Sequence, residues 1–212
     1  MAQVTIYSGA GDGWVNLSHT SNDGTSWADM IAGSVSGLSN DDTSASQYLC
    51  SAGRGGDIPN DYGLLRGFLP FDTSEISGTV TAATLSVYVT ARGAWAQSFN
   101  VYGSTQASNT ELADADYTRI GSTAFSDAIS IGDLTLNAYS DFALNASGIA
   151  AITAGGWSKF SLRISADYGG SGPSGSNWGY AVGNFSESAS NKPKLVVTYT
   201  PTAQGGFLLN FI

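Results

Sequence analysis

The alternation of hydrophobic and polar positions is clearest over residues 64–91, in two stretches separated by a turn. Leu85, Val87 and Val89 alternate with hydroxyl-bearing residues at a strict period of two. Residues 72–79 are rich in Asp, Thr, Ser and Gly, which favour turns. A period of two with one polar face is typical of a strand that buries one side. We therefore predict two strands joined by a turn, around which the rest of the chain is organised.

The same kind of pattern predicts nine further short strands. They lie at residues 3–7, 14–17, 47–50, 98–103, 129–131, 136–144, 157–164, 178–184 and 194–200. In the strand at 157–164, the alternation predicts that Phe160, Leu162 and Ile164 point inward. Lys159, Ser161 and Arg163 are then predicted to point outward.

One short helix is predicted at residues 145–154. Asn145 is a good N-cap residue, and two glycines directly after the segment favour its end. The polar stretches at residues 18–46 and 51–63 are predicted to be loops, the first of them long enough to carry a function or to form a broken hairpin.

Together these elements predict an all-β fold, a single jelly-roll β-sandwich with one short helix, over residues 1–200. A C-terminal tail follows at residues 201–212. Its large apolar side chains are Phe207, Leu208, Leu209, Phe211 and Ile212. Such a segment invites aggregation unless it packs on something. Two alternatives remain for it: packing on its own domain, or docking onto a neighbouring subunit by strand addition.

Charge and hydropathy argue against two classes of partner, nucleic acids and membranes. The 212-residue chain has a formal net charge of −9 and contains three lysines. Nucleic-acid binding needs clustered Lys and Arg, so no nucleic-acid partner is expected. No run approaches the roughly 20 apolar residues of a membrane span, so no membrane partner is expected either. No signal-peptide pattern follows Met1, which favours a protein that works where it is made or leaves the cell by lysis inside a larger particle.

The chemistry-bearing residues do not predict an enzyme. His19 is the only histidine, and no GxSxG nucleophile motif occurs. A zinc site would need more ligands than His19 and Cys50 provide. Cys50 has no second cysteine to pair with, and its apolar neighbours predict a small buried hydrophobe.

Four aspartates near the N-terminus, Asp12, Asp23, Asp41 and Asp42, are candidate ligands for Ca²⁺. Their spacing does not match an EF-hand. Solvated turn residues are the favoured interpretation, so no metal site is predicted and Ca²⁺ is the one cofactor left open.

Two tryptophans are candidate glycan contacts, because aromatic faces suit the apolar C–H faces of sugars. Trp178 follows a glycine-rich loop, and Trp95 lies in a predicted turn. Packing in the core or under a loop is the alternative for both. Arg66 and Asp72 flank one end of the first long strand, and we predict that they form a structural ion pair or clamp the turn.

Residues 66–74 (RGFLPFDTS) and 83–89 (ATLSVYV) together resemble the central signature of DNRLRE-type jelly-roll domains, which are related to carbohydrate-binding modules. Residues 193–199 (PKLVVTY) resemble the last strand of that family. The block at 139–163 is similar to jelly-roll proteins of phage and environmental genomes. The resemblance implies a jelly roll with a binding or structural role in an extracellular, cell-wall or virion setting, and it does not imply an enzyme. Residues 16–63 lie outside it.

Three functional hypotheses follow. The first is a non-enzymatic virion structural protein (a capsid decoration, head-fibre or tail-surface subunit), which forms a homo-oligomer and contacts other virion proteins after assembly in the host cytoplasm. The second is a carbohydrate-binding module that recognises host-surface glycans through Trp95 and Trp178. The third is an extracellular filament subunit that exchanges its C-terminal strand.

Overall fold

The computed structural model describes residues 1–20, 23–56 and 61–202. Within them the chain is mostly antiparallel β-structure with few and short helices, so the predicted all-β sandwich class is confirmed. The strands are β1 (Ala2–Tyr7), β2 (Gly13–Thr20), β3 (Leu38–Asp41), β4 (Ser46–Arg54), β5 (Asp61–Asp72), β6 (Gly78–Arg92), β7 (Ser98–Ser104), β8 (Ile120–Ala124), β9 (Ile129–Ser130), β10 (Ala138–Ala143), β11 (Trp157–Ile164), β12 (Trp178–Asn184) and β13 (Lys194–Pro201).

The helices are all short. The α-helices are α1 (Trp27–Ala32), α2 (Ala146–Ala150) and α3 (Ser165–Tyr168), and 3₁₀ turns occur at Asp114–Thr118 and Ile131–Asp133. The predicted helix is present as α2, and its N-cap is confirmed because the Asn145 side chain accepts a hydrogen bond from the Gly148 amide. The prediction of a single helix is wrong, since α1 and α3 lie in segments for which no helix was predicted.

The two long strands predicted over residues 64–91 are confirmed as β5 and β6, and they organise the sheets. β5 pairs with β2 along one edge and with β4 and then β11 along the other. β6 pairs with β10 on one edge and with β13 and then β12 on the other. Because both strands change partner along their length, the two sides of the sandwich form one continuous hydrogen-bonded network. β1 extends it beyond β13, and β7 beyond β11.

The core lies between the sheets and is rich in aromatic side chains. Phe99 and Phe142 meet edge to face with ring centroids 5.1 Å apart, and Phe71 and Phe160 do so at 6.0 Å. These residues are fully buried, as are the alternating apolar residues of β6. Burial of this much aromatic and aliphatic surface is the main stabilising contribution to the fold.

β11 is buried on both faces. The inward prediction for Phe160, Leu162 and Ile164 is confirmed. The outward prediction for Ser161 and Arg163 is wrong, because both are buried and Arg163 forms an ion pair with α3. Helix α3 and the Gly121 carbonyl of β8 therefore bind Arg163 on the face that the alternation assigned to solvent.

The segment predicted as a long loop at residues 18–46 folds into α1 and β3. Ser26 caps α1 by accepting a hydrogen bond from the Asp29 amide, while the Asp29 carboxylate accepts one from the Ser26 amide. Gly33 ends the helix in the left-handed conformation with φ of 66°, which glycine adopts without strain. These local signals fix a helix too short for the periodicity of its apolar residues to reveal.

Candidate functional site

An open cleft of about 320 Å³ lies on one face of the sheet formed by β2, β5, β4 and β12. Asn16 on β2 pairs with Leu65 on β5, which pairs with Ser51 on β4. The next row of paired residues runs from Ser18 across the sheet to Trp178 on β12. Partners in an antiparallel ladder point to the same face, so the register itself brings these side chains together.

Trp178 lies flat against this sheet because two glycines leave room for its ring. A Cβ added at Gly63 would lie 2.6 Å from Cη2 of the indole, and one added at Gly53 would collide with the ring. The side chain is nevertheless 44% exposed. The ring therefore rests on the backbone and offers its other face to the cleft.

Two more aromatic side chains line the cleft. Tyr48 is 41% exposed and is held edge to face against Tyr180, with ring centroids 5.5 Å apart. Trp14 packs partly against the core, and its Nε1–H is buried without a hydrogen-bond partner among the described residues. A buried donor without a partner costs free energy, and a ligand in the cleft could accept from this one only if the Trp14 ring turned towards the cleft.

The polar groups of the cleft are uncharged. The Gln47 amide donates from Nε2 to Asp41 Oδ2 at 3.1 Å, which leaves its Oε1 as a free acceptor by chemical type. Asn16 and Ser51 add an amide and a hydroxyl to the lining. No Asp, Glu, Lys, Arg or His is among the described residues that line the cleft. Its chemistry suits a neutral ligand with both apolar faces and hydroxyl groups.

The structure places one of the two predicted glycan contacts in this cleft. Trp178 lines it, whereas Trp95 is partly buried against the hydrophobic core and does not. Trp14 and Tyr48 take the neighbouring positions, and sequence reasoning did not assign them. The outward alternation of Trp14, Asn16 and Ser18 along β2 was the available signal.

Arg66 has a different partner from the one predicted. Its Nε and Nη2 donate to the Asp167 carboxylate at 2.9 and 2.7 Å, while Asp72 accepts a hydrogen bond from the Ser74 amide at 3.0 Å. The predicted Arg66–Asp72 ion pair is therefore wrong, although Asp72 does hold the following turn. Arg66 is 2% exposed, so it is a core residue rather than part of the open cleft.

The four candidate calcium ligands do not converge. Asp23 is bonded to Thr25 and His19, Asp41 accepts from the neighbouring Thr43 and Ser44, and Asp42 accepts from the Leu112 amide. No group of three or more potential metal ligands occurs in the described ranges. His19 lies in β2 rather than in a loop, and Cys50 is fully buried as predicted.

Asp12 is the exception among these carboxylates because it is fully buried. The Ser186 amide and hydroxyl donate to it at 2.9 and 2.7 Å, and Ser8 also donates. Burial raises its pKa from 3.8 to about 7, against the opposing effect of the serine hydrogen bonds. The carboxyl group thus ties the turn after β1 to the loop after β12.

This pKa predicts that Asp12 destabilises the fold as the pH rises from about 4 to about 7. In that window the folded protein holds a proton that the unfolded chain has released, so the free energy of unfolding falls as the pH rises. Asp12→Asn should remove this pH-dependent loss, about 4 kcal/mol for a shift from 3.8 to about 7. Urea unfolding of both proteins between pH 4 and 8 measures this difference, with the exposed Asp72→Asn as control. A difference between Asp12→Asn and wild type that does not change with pH would contradict it.

The residues of the predicted assembly tail, Phe207, Leu208, Leu209, Phe211 and Ile212, lie outside the described residues. In the described part of the chain, no helix has the length and apolar character needed to cross a membrane.

No protein-family model matches the chain. No curated protein matches it either. The fold and this site define the class of protein as an all-β sandwich with an open, uncharged aromatic cleft on one sheet.

Proposed function

We propose that the protein is a non-enzymatic binding protein that recognises a neutral glycan in the cleft of Trp14, Tyr48 and Trp178. The observation that carries this proposal is the juxtaposition of two exposed aromatic rings, Trp178 and Tyr48, with uncharged amide and hydroxyl groups in one cleft. This is the carbohydrate-binding hypothesis of the sequence, with Trp14 and Tyr48 in place of Trp95.

Sugars present the two features that this cleft matches. Their C–H faces are apolar and flat enough to lie on an aromatic ring, and their hydroxyl groups donate and accept hydrogen bonds around the ring edge. Trp178 supplies the flat surface, Gln47 an acceptor, and Asn16 and Ser51 an amide and a hydroxyl. A cleft of about 320 Å³ is within the usual size of small-molecule sites.

The lining also favours binding over catalysis. Glycoside hydrolysis in most families needs two carboxyl groups that face each other across the scissile bond. The described lining of this cleft contributes aromatic rings, amides and hydroxyls instead. We therefore keep the proposal to recognition without bond cleavage.

A glycan array with the full chain tests this proposal, followed by NMR of the best ligand. Binding of uncharged oligosaccharides is expected, with a shift of the Trp14 indole N–H resonance on saturation. Binding restricted to charged glycans, or ligand shifts confined to residues outside the cleft, would refute the cleft as the neutral-glycan site.

A second role is proposed for the same chain, namely a virion structural protein that assembles as a homo-oligomer and displays the cleft to host-surface glycans. The outer edge of β1 favours it, since within the described ranges β1 pairs with β13 alone. Open strand edges accept an added strand. The tail of a neighbouring copy is the proposed donor, and an extracellular filament subunit would use the same edge.

Removal of the tail tests this assembly role. A chain that ends at Thr202 retains all of β13 and is expected to be monomeric, whereas the full chain is expected to be a trimer or larger. Light scattering of both chains at equal concentration measures the difference. Monomers in both cases would exclude assembly through the tail and would leave the glycan proposal unaffected.

A further inference from the structure

A buried cluster of three charged residues carries an excess positive charge. Asp167 accepts four hydrogen bonds of 2.7–2.9 Å from the two arginines. Its Oδ1 accepts one from Nη2 of Arg66 and one from Nη2 of Arg163, and its Oδ2 accepts one from Nε of each. The two arginines are 2% and 8% exposed, and Asp167 is 2% exposed. One carboxylate is thus shared between two guanidinium groups, and the cluster has a net charge of +1.

None of the groups described around the cluster neutralises this extra charge. The ring of Tyr117 lies 4.1 Å from Cζ of Arg66, and that of Tyr102 lies 5.1 Å from Cζ of Arg163. The nearby buried Asp116 forms its own ion pair with an exposed arginine, Arg119. In the described part of the chain, ring faces and backbone carbonyls therefore lower the cost of the extra charge without neutralising it.

A cavity of about 420 Å³ opens over this cluster, lined by Arg66, Arg163, Thr118 and Ser122 among others. Arg163 donates once from Nη1, to the Gly121 carbonyl at 3.1 Å, and once from Nη2, to Asp167. Each terminal nitrogen carries two N–H groups, so each retains one without a partner among the described residues. Nη1 of Arg66 likewise donates one hydrogen bond, to the Tyr117 carbonyl, and its second N–H has no partner among the described residues.

We propose that this cavity binds a small oxyanion, a carboxylate, sulfate or phosphate group, against the terminal N–H groups of the two arginines that Asp167 leaves free. A guanidinium group with free N–H groups matches the planar oxygens of such an anion, and the charge-assisted bonds gain strength from burial. The Thr118 and Ser122 hydroxyls at the rim add neutral donors. The site is distinct from the uncharged aromatic cleft and does not depend on the glycan proposal.

Isothermal titration of the full chain with sodium phosphate, sulfate and acetate tests the site, with chloride at equal ionic strength as reference. A saturable heat near one anion per chain is expected for at least one of the three oxyanions. The double variant Thr118→Val with Ser122→Ala should weaken binding by about fivefold per hydroxyl. Arg163→Gln should abolish it.

Thr123→Ala is the matched control, because Thr123 is exposed on the same strand as Ser122 and alternates to its other face. Its affinity should equal that of the wild type. If Arg163→Gln fails to fold, the rim double variant decides, since both of its positions are exposed. The proposal is overturned if no oxyanion gives a saturable heat beyond chloride, or if the rim variant binds as tightly as the wild type.

Discussion

Asp167→Asn is expected to lower the free energy of unfolding by about 3–5 kcal/mol, the cost of leaving a buried charge without its partner. The carboxylate is the shared acceptor of four N–H groups from Arg66 and Arg163. An amide carries no charge, and its nitrogen would face guanidinium donors that it cannot accept from. Arg66 and Arg163 would then both be buried without a carboxylate partner.

Urea unfolding followed by tryptophan fluorescence measures this loss, at neutral pH and without phosphate or sulfate. Asp127→Asn is the matched control, because Asp127 is exposed and should change stability by less than about 0.5 kcal/mol. Replacement of the whole cluster by apolar residues should recover much of the loss, since the penalty arises from unpaired charge. A loss below about 1 kcal/mol in Asp167→Asn would contradict the cluster's assigned role.

The same cluster contributes to stability against acid. Burial opposes ionisation of Asp167, but hydrogen bonds and charge from Arg163 and Arg66 hold its pKa below the usual value. A lowered pKa stabilises the fold above the pKa of the unfolded chain, and this contribution is lost as the pH falls through the folded value. Asp167 and Asp12 therefore act in opposite directions and in separate pH windows.

The fold class followed from the sequence because strands carry their signal locally. The alternation of Leu85, Val87 and Val89 reports one buried face whatever the partner strand is, and all three are fully buried. Asn145 is similar, since an N-cap hydrogen bond spans only three residues. Helix α1 also carries local capping signals at Ser26, Asp29 and Gly33, but it is too short for its apolar periodicity to distinguish it from a loop.

The charged cluster and the cleft could not be predicted because they depend on register and topology. Arg66 and its partner Asp167 are 101 positions apart in the chain. Asp72, the partner assumed from the sequence, is close in the chain but lies at the far end of the same strand, β5. Likewise, Trp178 reaches β2 only through the ladder that crosses β4 and β5. No spacing in the sequence encodes that row, although the glycines beneath the ring mark two of its positions.

Trp178→Ala is expected to reduce glycan affinity by about 30-fold, which corresponds to about 2 kcal/mol of binding free energy for a central aromatic contact. The ring offers one face to the cleft and rests on Gly53 and Gly63 with the other. Because the side chain is already 44% exposed, its removal should leave the fold intact. Titration calorimetry with the best neutral ligand from the array measures the change. Tyr7→Ala is the control, since Tyr7 is 55% exposed and lies outside the cleft.

Trp14→Phe separates hydrogen bonding from stacking in the same cleft. Phenylalanine keeps an aromatic ring against the core but removes the indole N–H that lacks a partner among the described residues. If the ring turns on binding so that a sugar hydroxyl accepts from this buried group, the substitution should weaken binding by about fivefold, the value of one neutral hydrogen bond. The free protein should at the same time become slightly more stable, because an unsatisfied buried donor has been removed. If Trp14→Phe binds as tightly as the wild type while Trp178→Ala shows its full loss, stacking alone holds the ligand. If Trp178→Ala and Tyr7→Ala lose the same affinity, the cleft is not the binding site.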